Sequence, residues 1–225
     1  MSTAKGYAAG AGTSNSAILA IGGYSTAALA EVESYNGSSF SEVANLNLER
    51  EKIMAAGTPT SGIVFGGSRF ANLVCGHTEK YNGAGDAWSE VADMNTATKA
   101  SGEAGDTSEA VIAFGGETAT TAHYSNYAEE YNGSGWATLP NLNTSRRNNG
   151  GIGTTSAGLG MGGYSPSGSP KDTADSEEWD GSSWTEGSNL GTARSGMASF
   201  GIQTAGVIAA GSVGPTGQQL VEEYD

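Results

Sequence analysis

EEYNGSGW, residues 129–136, is a phrase that recurs along the chain. Related copies are ESYNGSSF at 33–40, EEWDGSSW at 177–184 and a shorter EEYD at 222–225. The aromatic residue that ends the phrase occurs every 48 residues, at Phe40, Trp88, Trp136 and Trp184. Self-similarity at a fixed period of about 20–50 residues indicates a repeat architecture.

Two further features follow the same period. Most insertions fall between a pair of glycines and the E-x-Y phrase, so that segment is predicted to be a loop of variable length. The pairs are Gly22-Gly23, Gly66-Gly67, Gly115-Gly116 and Gly162-Gly163, with Ala210-Gly211 in the fifth copy. A basic residue precedes each pair by 16 or 17 positions, at Lys5, Arg50, Lys99, Arg146 and Arg194.

Each repeat reads as four short strands separated by Gly, Asn and Ser. The first strand is small and glycine-rich, and the second is apolar and ends at the paired glycines. The third carries the E-x-Y phrase, and the fourth begins at the Trp or Phe. The Asn-Gly and Asp-Gly steps supply the positive φ angles that a tight hairpin turn needs. This pattern predicts antiparallel β structure.

Five copies of a four-stranded unit predict radial stacking into a β-propeller. Gly and Ala suit a crowded inner strand, and the recurring aromatic residue fills the space between sheets. A linear β-solenoid is the alternative, but its coils are usually shorter and need no such gradient of side-chain size. We therefore predict an all-β, five-bladed β-propeller of four-stranded antiparallel blades, with the last blade missing its outer strand. A single domain over 1–225 would hold repeats of about 1–47, 48–95, 96–143, 144–191 and 192–225.

The fifth copy stops after its third strand, which leaves three interpretations open. The ring closes with a three-stranded blade, the natural protein continues past Asp225, or another chain supplies the missing edge. The third has a physical basis, because an exposed strand edge favours strand addition by a partner.

The composition excludes several classes of function. The 225 residues include 10 Lys+Arg against 24 Asp+Glu, and the net charge of −14 disfavours a nucleic-acid partner or an anionic membrane surface. The apolar runs are too short for a membrane span. The single cysteine, Cys75, cannot form an intrachain disulfide and is expected to be a buried, inert thiol. With no signal-peptide apolar core near Met1, we expect a virion or cytoplasmic location.

Paired glycines after an apolar strand, then E-x-Y, Trp and a basic residue, resemble the Kelch repeat and the propeller repeat of the galactose oxidase central domain. The resemblance covers nearly all of 1–225. The particular form of the phrase, as in EEYNGSGW at 129–136, looks like repeats in phage virion and tail proteins and in environmental bacterial proteins. Kelch propellers usually have six or seven blades, so five copies are a departure. The copper site of galactose oxidase does not carry over, because His77 and His123 lie in different repeats.

We expect any binding to use the variable loops and the turns between repeats, which share one face of an antiparallel propeller. Aromatic and Arg side chains there would suit a glycan or a protein epitope. The alternative is that each basic residue pairs with a repeat carboxylate such as Glu130 or Glu178 and ties blades together. The candidate binding residues are Tyr24, Arg69, Phe70, His123, Tyr124, Tyr127, Arg147, Tyr164 and Arg194.

Catalytic and metal motifs are missing from the sequence. The E-x-Y carboxylates recur in every copy, whereas a catalytic pair must be unique in its surroundings. Acids that break the repeat are more interesting, and they are Glu103, Asp106, Glu109, Asp172 and Asp175. We expect no cofactor, no metal and no enzyme activity. The leading hypothesis is a phage virion or tail-fibre component that contacts a host glycan or another virion protein. A cellular Kelch-like interaction scaffold and a glycan-active enzyme are the alternatives.

Overall fold

The computed structural model describes residues 1, 3–119, 124–166 and 171–225. Within them the chain forms two compact units. The first unit comprises 1–99, 106–110 and 131–136, and the second comprises 100–105, 111–130 and 137–225.

The first unit contains two four-stranded antiparallel sheets whose strand order follows the chain. The first sheet has β1 (Ala9–Ser14), β2 (Ala17–Ile21), β3 (Val32–Tyr35) and β4 (Phe40–Val43). The second sheet has β5 (Met54–Thr58), β6 (Ser61–Phe65), β7 (Thr78–Asn82) and β8 (Ala87–Glu90). A one-turn 3-10 helix, Phe70–Asn72, lies in the loop between β6 and β7, and the short β9 (Thr98–Lys99) follows β8.

Most of the remaining strands form three larger sheets, and parts of the third sheet belong to the first unit. The strands of the third repeat are β10 (Gly102–Thr107), β11 (Ala110–Phe114), the short β12 (Glu117–Thr118), β13 (Ala128–Tyr131) and β14 (Trp136–Leu139). The third sheet has the order β10-β11-β13-β14. The fourth sheet has β15 (Gly150–Thr154), β16 (Ala157–Met161), β17 (Ser176–Trp179) and β18 (Trp184–Glu186) in that order.

The fifth sheet differs from the other four because its described part has only three strands. They are β19 (Ala198–Ile202), β20 (Ala205–Ala209) and β23 (Val221–Tyr224), while β21 (Ser212–Val213) and β22 (Thr216–Gly217) pair in the loop between β20 and β23. The chain is thus an all-β, five-bladed β-propeller, which confirms the predicted fold and the missing outer strand. The predicted single domain and its repeat boundaries stay predictions.

The paired glycines end the second strand of each sheet in a left-handed backbone. Gly162 and Gly163 have φ angles of +58° and +99°, and the fifth copy keeps this geometry with Ala210 at +59°. A Cβ on Gly162 would lie 2.7 Å from the carbonyl oxygen of Arg194. The pair is therefore required both by its dihedral angles and by the close approach of the next connection.

The Asn-Gly and Asp-Gly phrases form the loops between the third and fourth strands. Asn132 Oδ1 accepts the backbone N–H groups of Ser134 and Gly135, both at 3.1 Å. Asp180 accepts the hydroxyl of Ser182 and the backbone N–H groups of Ser182 and Ser183, each at 2.8 Å, and these bonds, the hydroxyl first, lower the pKa of Asp180 to about 2. The glycine supplies positive φ, whereas the Asn or Asp contributes a side-chain cap on the turn.

The recurring Trp packs on the preceding sheet, as the sequence predicted. In the first unit Trp88 joins a buried cluster with Leu19 and Ile21, and its indole N–H donates to the Ala44 carbonyl at 2.9 Å. In the second unit Trp184 lies 4.9 Å from Phe114, ring centre to ring centre, and donates to the Pro140 carbonyl at 3.1 Å. Each indole therefore fills the space between sheets and has a hydrogen-bond partner when buried.

The basic residue of the repeat forms a buried clasp between neighbouring sheets. The backbone N–H of Arg146 donates to Ser125 at the end of the third repeat's loop. Its guanidinium donates to the Asp175 carbonyl at 2.7 Å and to Glu177 Oε1 at 2.8 Å in the fourth repeat. Arg50 with Glu79, and Arg194 with Glu222, repeat this arrangement, and all three arginines are fully buried.

This clasp confirms that repeat arginines pair with repeat carboxylates, but Glu178 was the wrong partner. Arg146 binds Glu177, the first acid of the phrase, and not Glu178. Glu178 lies one residue further along β17, so its side chain points to the opposite face of the sheet. There it accepts the hydroxyl of Tyr224 at 2.6 Å.

Candidate functional site

The predicted binding residues fall into two groups, one in each unit. Tyr24, Arg69 and Phe70 belong to the first unit. Tyr124, Tyr127, Arg147, Tyr164 and Arg194 belong to the second. His123 lies outside the described residues.

The first group lines a cleft of about 690 Å³, called here the loop cleft. Its lining residues are Tyr7, Tyr24, Thr26, Ala27, Ala28, Glu49, Glu51, Arg69, Phe70 and Asn72. Tyr24 follows the paired glycines of the first repeat, and Phe70 begins the 3-10 helix after those of the second. The structure therefore brings together loops that follow β2 and β6.

Three aromatic rings of the loop cleft are open to solvent. Phe70 and Tyr7 are each 64% exposed, and Tyr24 is 40% exposed. Large rings held open to solvent on a rigid sheet scaffold favour contact with a ligand. The Lys52 ammonium lies 5.3 Å from the centre of the Tyr7 ring, which orients that ring from outside the cleft.

Polar groups lie beside these rings. Arg69 Nη2 donates to Glu49 Oε1 at 3.0 Å, and the Arg69 guanidinium lies 5.5 Å from the centre of the Phe70 ring. The hydrogen bond from the backbone N–H of Glu49 and, second, the one from the Arg69 side chain lower the pKa of the Glu49 carboxyl. Glu51 Oε1 accepts the Ser68 hydroxyl at 3.5 Å. The loop cleft therefore offers fixed charges and hydrogen-bonding groups next to open aromatic faces.

Sequence reasoning missed Tyr7, Glu49, Glu51 and Asn72. Tyr7, Glu49 and Glu51 precede the first strand of their sheets, and Asn72 lies in the loop after β6. Backbone bridges place these segments beside the loop cleft. Gly6 pairs with Tyr24, and Glu51 pairs with Ser68. The only sequence signal was that Glu51 directly follows the basic residue of its repeat, Arg50, and that Tyr7 lies two residues after Lys5.

The second group contains a stack of Arg147 between two tyrosines, called here the tyrosine–arginine stack. The Arg147 guanidinium lies 5.0 Å from the ring centre of Tyr124 and 5.7 Å from that of Tyr164. Its Nη1 donates to Glu117 Oε2 at 2.5 Å. The predicted residues Tyr124, Arg147 and Tyr164 therefore do converge, and Glu117 completes the set.

Two predicted residues of the second unit do not join this stack by any contact among the described residues. Tyr127 is 48% exposed, with its backbone N–H bonded to the Ser125 hydroxyl. Arg194 is fully buried and forms the clasp to Glu222 at 2.9 Å. The guanidinium of Arg194 has no solvent access, so we leave it out of the candidate surface.

The acids that break the repeat pattern do not gather into one centre. Asp172 is buried and accepts the backbone N–H of Gly214 at 2.7 Å, and Asp175 accepts from Asn189. Burial raises the pKa of Glu103 to about 8, whereas Asp106 is exposed. Among the described residues no group of three His, Cys, Asp or Glu side chains is arranged to hold a metal ion.

Cys75 is buried, as expected, and burial raises the pKa of its thiol. The Sγ atom lies 3.5 Å from the Gly67 carbonyl oxygen. His77 lies nearby in sequence, with Nδ1 3.4 Å from Asp93 Oδ2, and both of these side chains are partly exposed. A raised pKa makes the thiol a poor nucleophile.

The chain matches no protein-family model and no curated protein sequence. In the part of the chain that the structure describes, no helix has the length and apolar character needed to cross a membrane.

Proposed function

We propose that the chain is a non-enzymatic binding module that takes a carbohydrate in the loop cleft. The observation that carries the proposal is the cleft itself, where Tyr7, Tyr24 and Phe70 stand open beside Arg69 and Glu49. Aromatic faces stack on the apolar C–H faces of sugar rings. Arginine and carboxylate groups hydrogen-bond to the hydroxyls around them. A concave site with a few placed polar groups is a usual form for ligand binding.

The biological setting that we propose is a phage virion, as a tail or tail-fibre component that contacts a host surface glycan. A second virion protein is the other partner that this setting offers. The support is the resemblance of the EEYNGSGW repeats to Kelch-like repeats in virion and tail proteins. A cellular Kelch-like interaction scaffold is the alternative setting, and the acidic balance of the chain fits both.

A glycan-active enzyme is less well supported. Glycoside hydrolysis needs two carboxyl groups, one of them with a raised pKa to act as the acid. The loop cleft does contain Glu49 and Glu51, two residues apart in the chain. However, hydrogen bonds from the Glu49 backbone and from Arg69 lower the pKa of the Glu49 carboxyl. A general acid needs a raised pKa, so this shift has the wrong direction. We therefore infer binding without turnover.

The test is to probe an array of bacterial surface polysaccharides and oligosaccharides with fluorescently labelled protein, followed by titration calorimetry on the hits. Phe70→Ala and Tyr24→Ala are expected to weaken binding at least about tenfold, because each removes a stacking surface. Leu73→Ala is the matched control, since Leu73 is 52% exposed and lies outside the cleft lining.

Three results would overturn the proposal. They are an array with no binding, binding that survives both aromatic changes, and release of new reducing ends when the protein is incubated with the bound glycan. In the last case, loss of turnover in Glu49→Gln and Glu51→Gln would identify the enzyme instead.

A further inference from the structure

The loop cleft occupies the same repeat positions as the tyrosine–arginine stack, with different side chains. The paired glycines and the backbone bridges to Arg50 and Arg146 fix the correspondence. The matched positions are Tyr24 with Glu117, Ala28 with Tyr124, Glu51 with Arg147 and Ser68 with Tyr164. The two rings of the stack are thus replaced by the small side chains of Ala28 and Ser68, which fill less of the space between the loops.

The charge at the Arg147 position is reversed. In the stack the chain supplies its own cation, because the Arg147 guanidinium lies 5.0 Å from the ring centre of Tyr124 and pairs with Glu117. In the loop cleft the same position holds the carboxylate of Glu51. The cleft therefore has an acid where the stack has a base.

This acid is left without a counter-charge. The hydrogen bond that Glu51 accepts from the Ser68 hydroxyl is long, at 3.5 Å, and in the described parts of the chain no ion pair to Glu51 is formed. The other charged residues of the lining, Glu49 and Arg69, neutralise each other at 3.0 Å. The lining of the loop cleft therefore keeps one unpaired negative charge.

Backbone hydrogen bonds hold Glu51 beside two tyrosines. The N–H of Gly23, which precedes Tyr24, donates to the carbonyl of the residue before Glu51 at 2.9 Å. The N–H of Lys52, which follows Glu51, donates to the Tyr7 carbonyl at 3.0 Å. Glu51, Tyr7 and Tyr24 all line the cleft, so its unpaired carboxylate lies next to two open rings.

The rings of the loop cleft already attract cations. The Lys52 ammonium lies 5.3 Å from the centre of the Tyr7 ring, and the Arg69 guanidinium lies 5.5 Å from that of Phe70. Tyr24 is 40% exposed and has no such cation among the described residues. Aromatic rings beside a carboxylate are a favourable place for an ammonium group, because the ring faces and the acid both attract positive charge.

Tyr7 is held in a strained backbone, with a φ of +54°. The equivalent residues of the later repeats share this left-handed conformation, and they are Lys52, Ala100, Asn148 and Gly196. Glycine adopts it without steric cost, whereas it is rare for a bulky side chain. Tyr7 is 64% exposed, so core packing does not account for the ring. An exposed ring kept at a strained position of the cleft indicates a role in binding.

We infer that the loop cleft recognises an amino sugar, whose ammonium binds Glu51 between the rings of Tyr7 and Tyr24. The inference rests on the proposed carbohydrate binding in this cleft and adds the chemical class of the sugar. The ligand supplies a cation that the stack takes from the chain itself. An N-acetylated sugar carries an uncharged amide in place of the ammonium, so it forms neither the ion pair nor the cation–π contacts.

The test is titration calorimetry with one chito-oligosaccharide in two forms, fully deacetylated and fully N-acetylated, at a pH where the sugar amines are protonated. The wild type should bind the deacetylated form at least about tenfold more tightly. Glu51→Gln keeps the shape of the side chain and removes its charge, so it should abolish this preference and leave binding of the N-acetylated form unchanged. Glu42→Gln is the matched control for general attraction of a polycation, since Glu42 is exposed on β4 and lies outside the cleft lining.

Tyr7→Gly gives a second, independent measurement. It should weaken binding of the deacetylated form at least about tenfold, because it removes one ring from the ammonium. It should also raise the melting temperature, because glycine adopts the left-handed backbone of this position without strain. A variant that had simply failed to fold could not combine weaker binding with higher stability.

The outcomes separate this inference from the proposed function. Equal wild-type affinity for the two forms, or equal effects of Glu51→Gln and Glu42→Gln, would overturn the inference. The proposed function would still stand in that case if Phe70→Ala weakened binding of the sugar. Failure of every sugar on the array to bind would overturn both.

Discussion

Arg146 and Arg147 are neighbours in the chain and have opposite environments. Arg146 is fully buried and bonded to the Asp175 carbonyl and to Glu177. Arg147 is partly exposed, lies between the rings of Tyr124 and Tyr164, and pairs with Glu117. Arg146 has equivalents at Arg50 and Arg194 with the same contacts, whereas no such stack is found around the residues after them, Glu51 and Ser195, in the described chain.

The difference shows that some residues of a repeat hold the scaffold together and others are free to contact a partner. Burial lowers the pKa of Arg146, and Glu177 opposes that shift, so the clasp is held by a desolvated ion pair and its hydrogen bonds. A buried pair of this kind fixes the geometry of the connection. Arg147 lies where the copies disagree, and there the chain is free to present rings and charge to a partner.

The largest effect is expected from breaking the clasp. Arg146→Ala should lower the free energy of unfolding by about 3–5 kcal/mol, because it leaves Glu177 buried without its partner. Arg147→Ala should change it by about 1 kcal/mol or less, as for a partly exposed pair. Urea denaturation followed by tryptophan fluorescence measures both.

The double change R146M/E177L separates the two contributions of the clasp. Removing both charges should recover much of the stability that Arg146→Ala loses, since no charge is left unpaired. Equal losses for Arg146→Ala and Arg147→Ala would show that the two environments do not differ in energy.

A comparable loss is expected at the repeated aromatic residue. Trp136 is buried, packs edge-on against Phe65 at 5.0 Å between ring centres, and donates to the Thr78 hydroxyl at 3.0 Å. Trp136→Ala should cost about 3–5 kcal/mol of the free energy of unfolding, as truncation of a core aromatic does. A loss below about 1 kcal/mol would show that the ring does not fill the space between sheets.

Glu103, an acid that breaks the repeat pattern, should make the stability of the protein depend on pH. Burial raises the pKa of Glu103 from 4.5 to about 8, so the folded chain keeps this carboxyl protonated where the unfolded chain ionises it. Its contribution to stability is present below pH 4.5 and is lost as the pH rises through 8. The melting temperature should therefore fall between pH 4.5 and pH 8, and this fall should be smaller in Glu103→Gln. The same fall in both proteins would show that Glu103 does not cause it.

A gain in stability is expected where the fifth copy has lost a glycine. Ala210 has a φ of +59°, a conformation that costs a residue with a side chain about 1–2 kcal/mol. Ala210→Gly should therefore raise the free energy of unfolding by about 0.5–1 kcal/mol after the entropy of glycine is subtracted. The matched change Ala209→Gly, in the strand just before it, should lower stability by a similar amount.

The smallest effect on stability is expected at the tyrosine–arginine stack. Tyr124→Ala removes one cation–π contact and should lower the free energy of unfolding by about 1 kcal/mol or less. If the variable loops bind the partner, the same change weakens binding. A variant that binds as tightly as the wild type would count against a role of this stack in recognition.

The sequence predicted the fold well because each recurring residue answers a local requirement. Paired glycines meet a left-handed backbone, the Asn or Asp caps a turn, and the Trp fills the space between sheets. The partner of the clasp could also have been found. The first acid of the phrase is present in all five copies, whereas its second position holds Ser34, Lys80, Glu130, Glu178 and Glu223.

The loop cleft was only partly predictable. Tyr24, Arg69 and Phe70 were named from their place after the paired glycines. Glu49 lies before a strand in another segment, and Tyr7 lies near the start of the chain, so no spacing connects them to Phe70. Their positions depend on long-range backbone bridges, such as Gly6 with Tyr24, which a single sequence does not reveal.

The clasp also sets the order in which parts of the second unit open. Each arginine joins the backbone of one repeat to the sheet of the next, so a sheet held between two clasps cannot unfold without disturbing both neighbours. The fourth sheet receives Arg146 and its following connection supplies Arg194, whereas among the described residues the fifth sheet has one such clasp, through Arg194. Local unfolding should therefore begin at β19 to β23, whose amide hydrogens would exchange with solvent before those of β15 to β17.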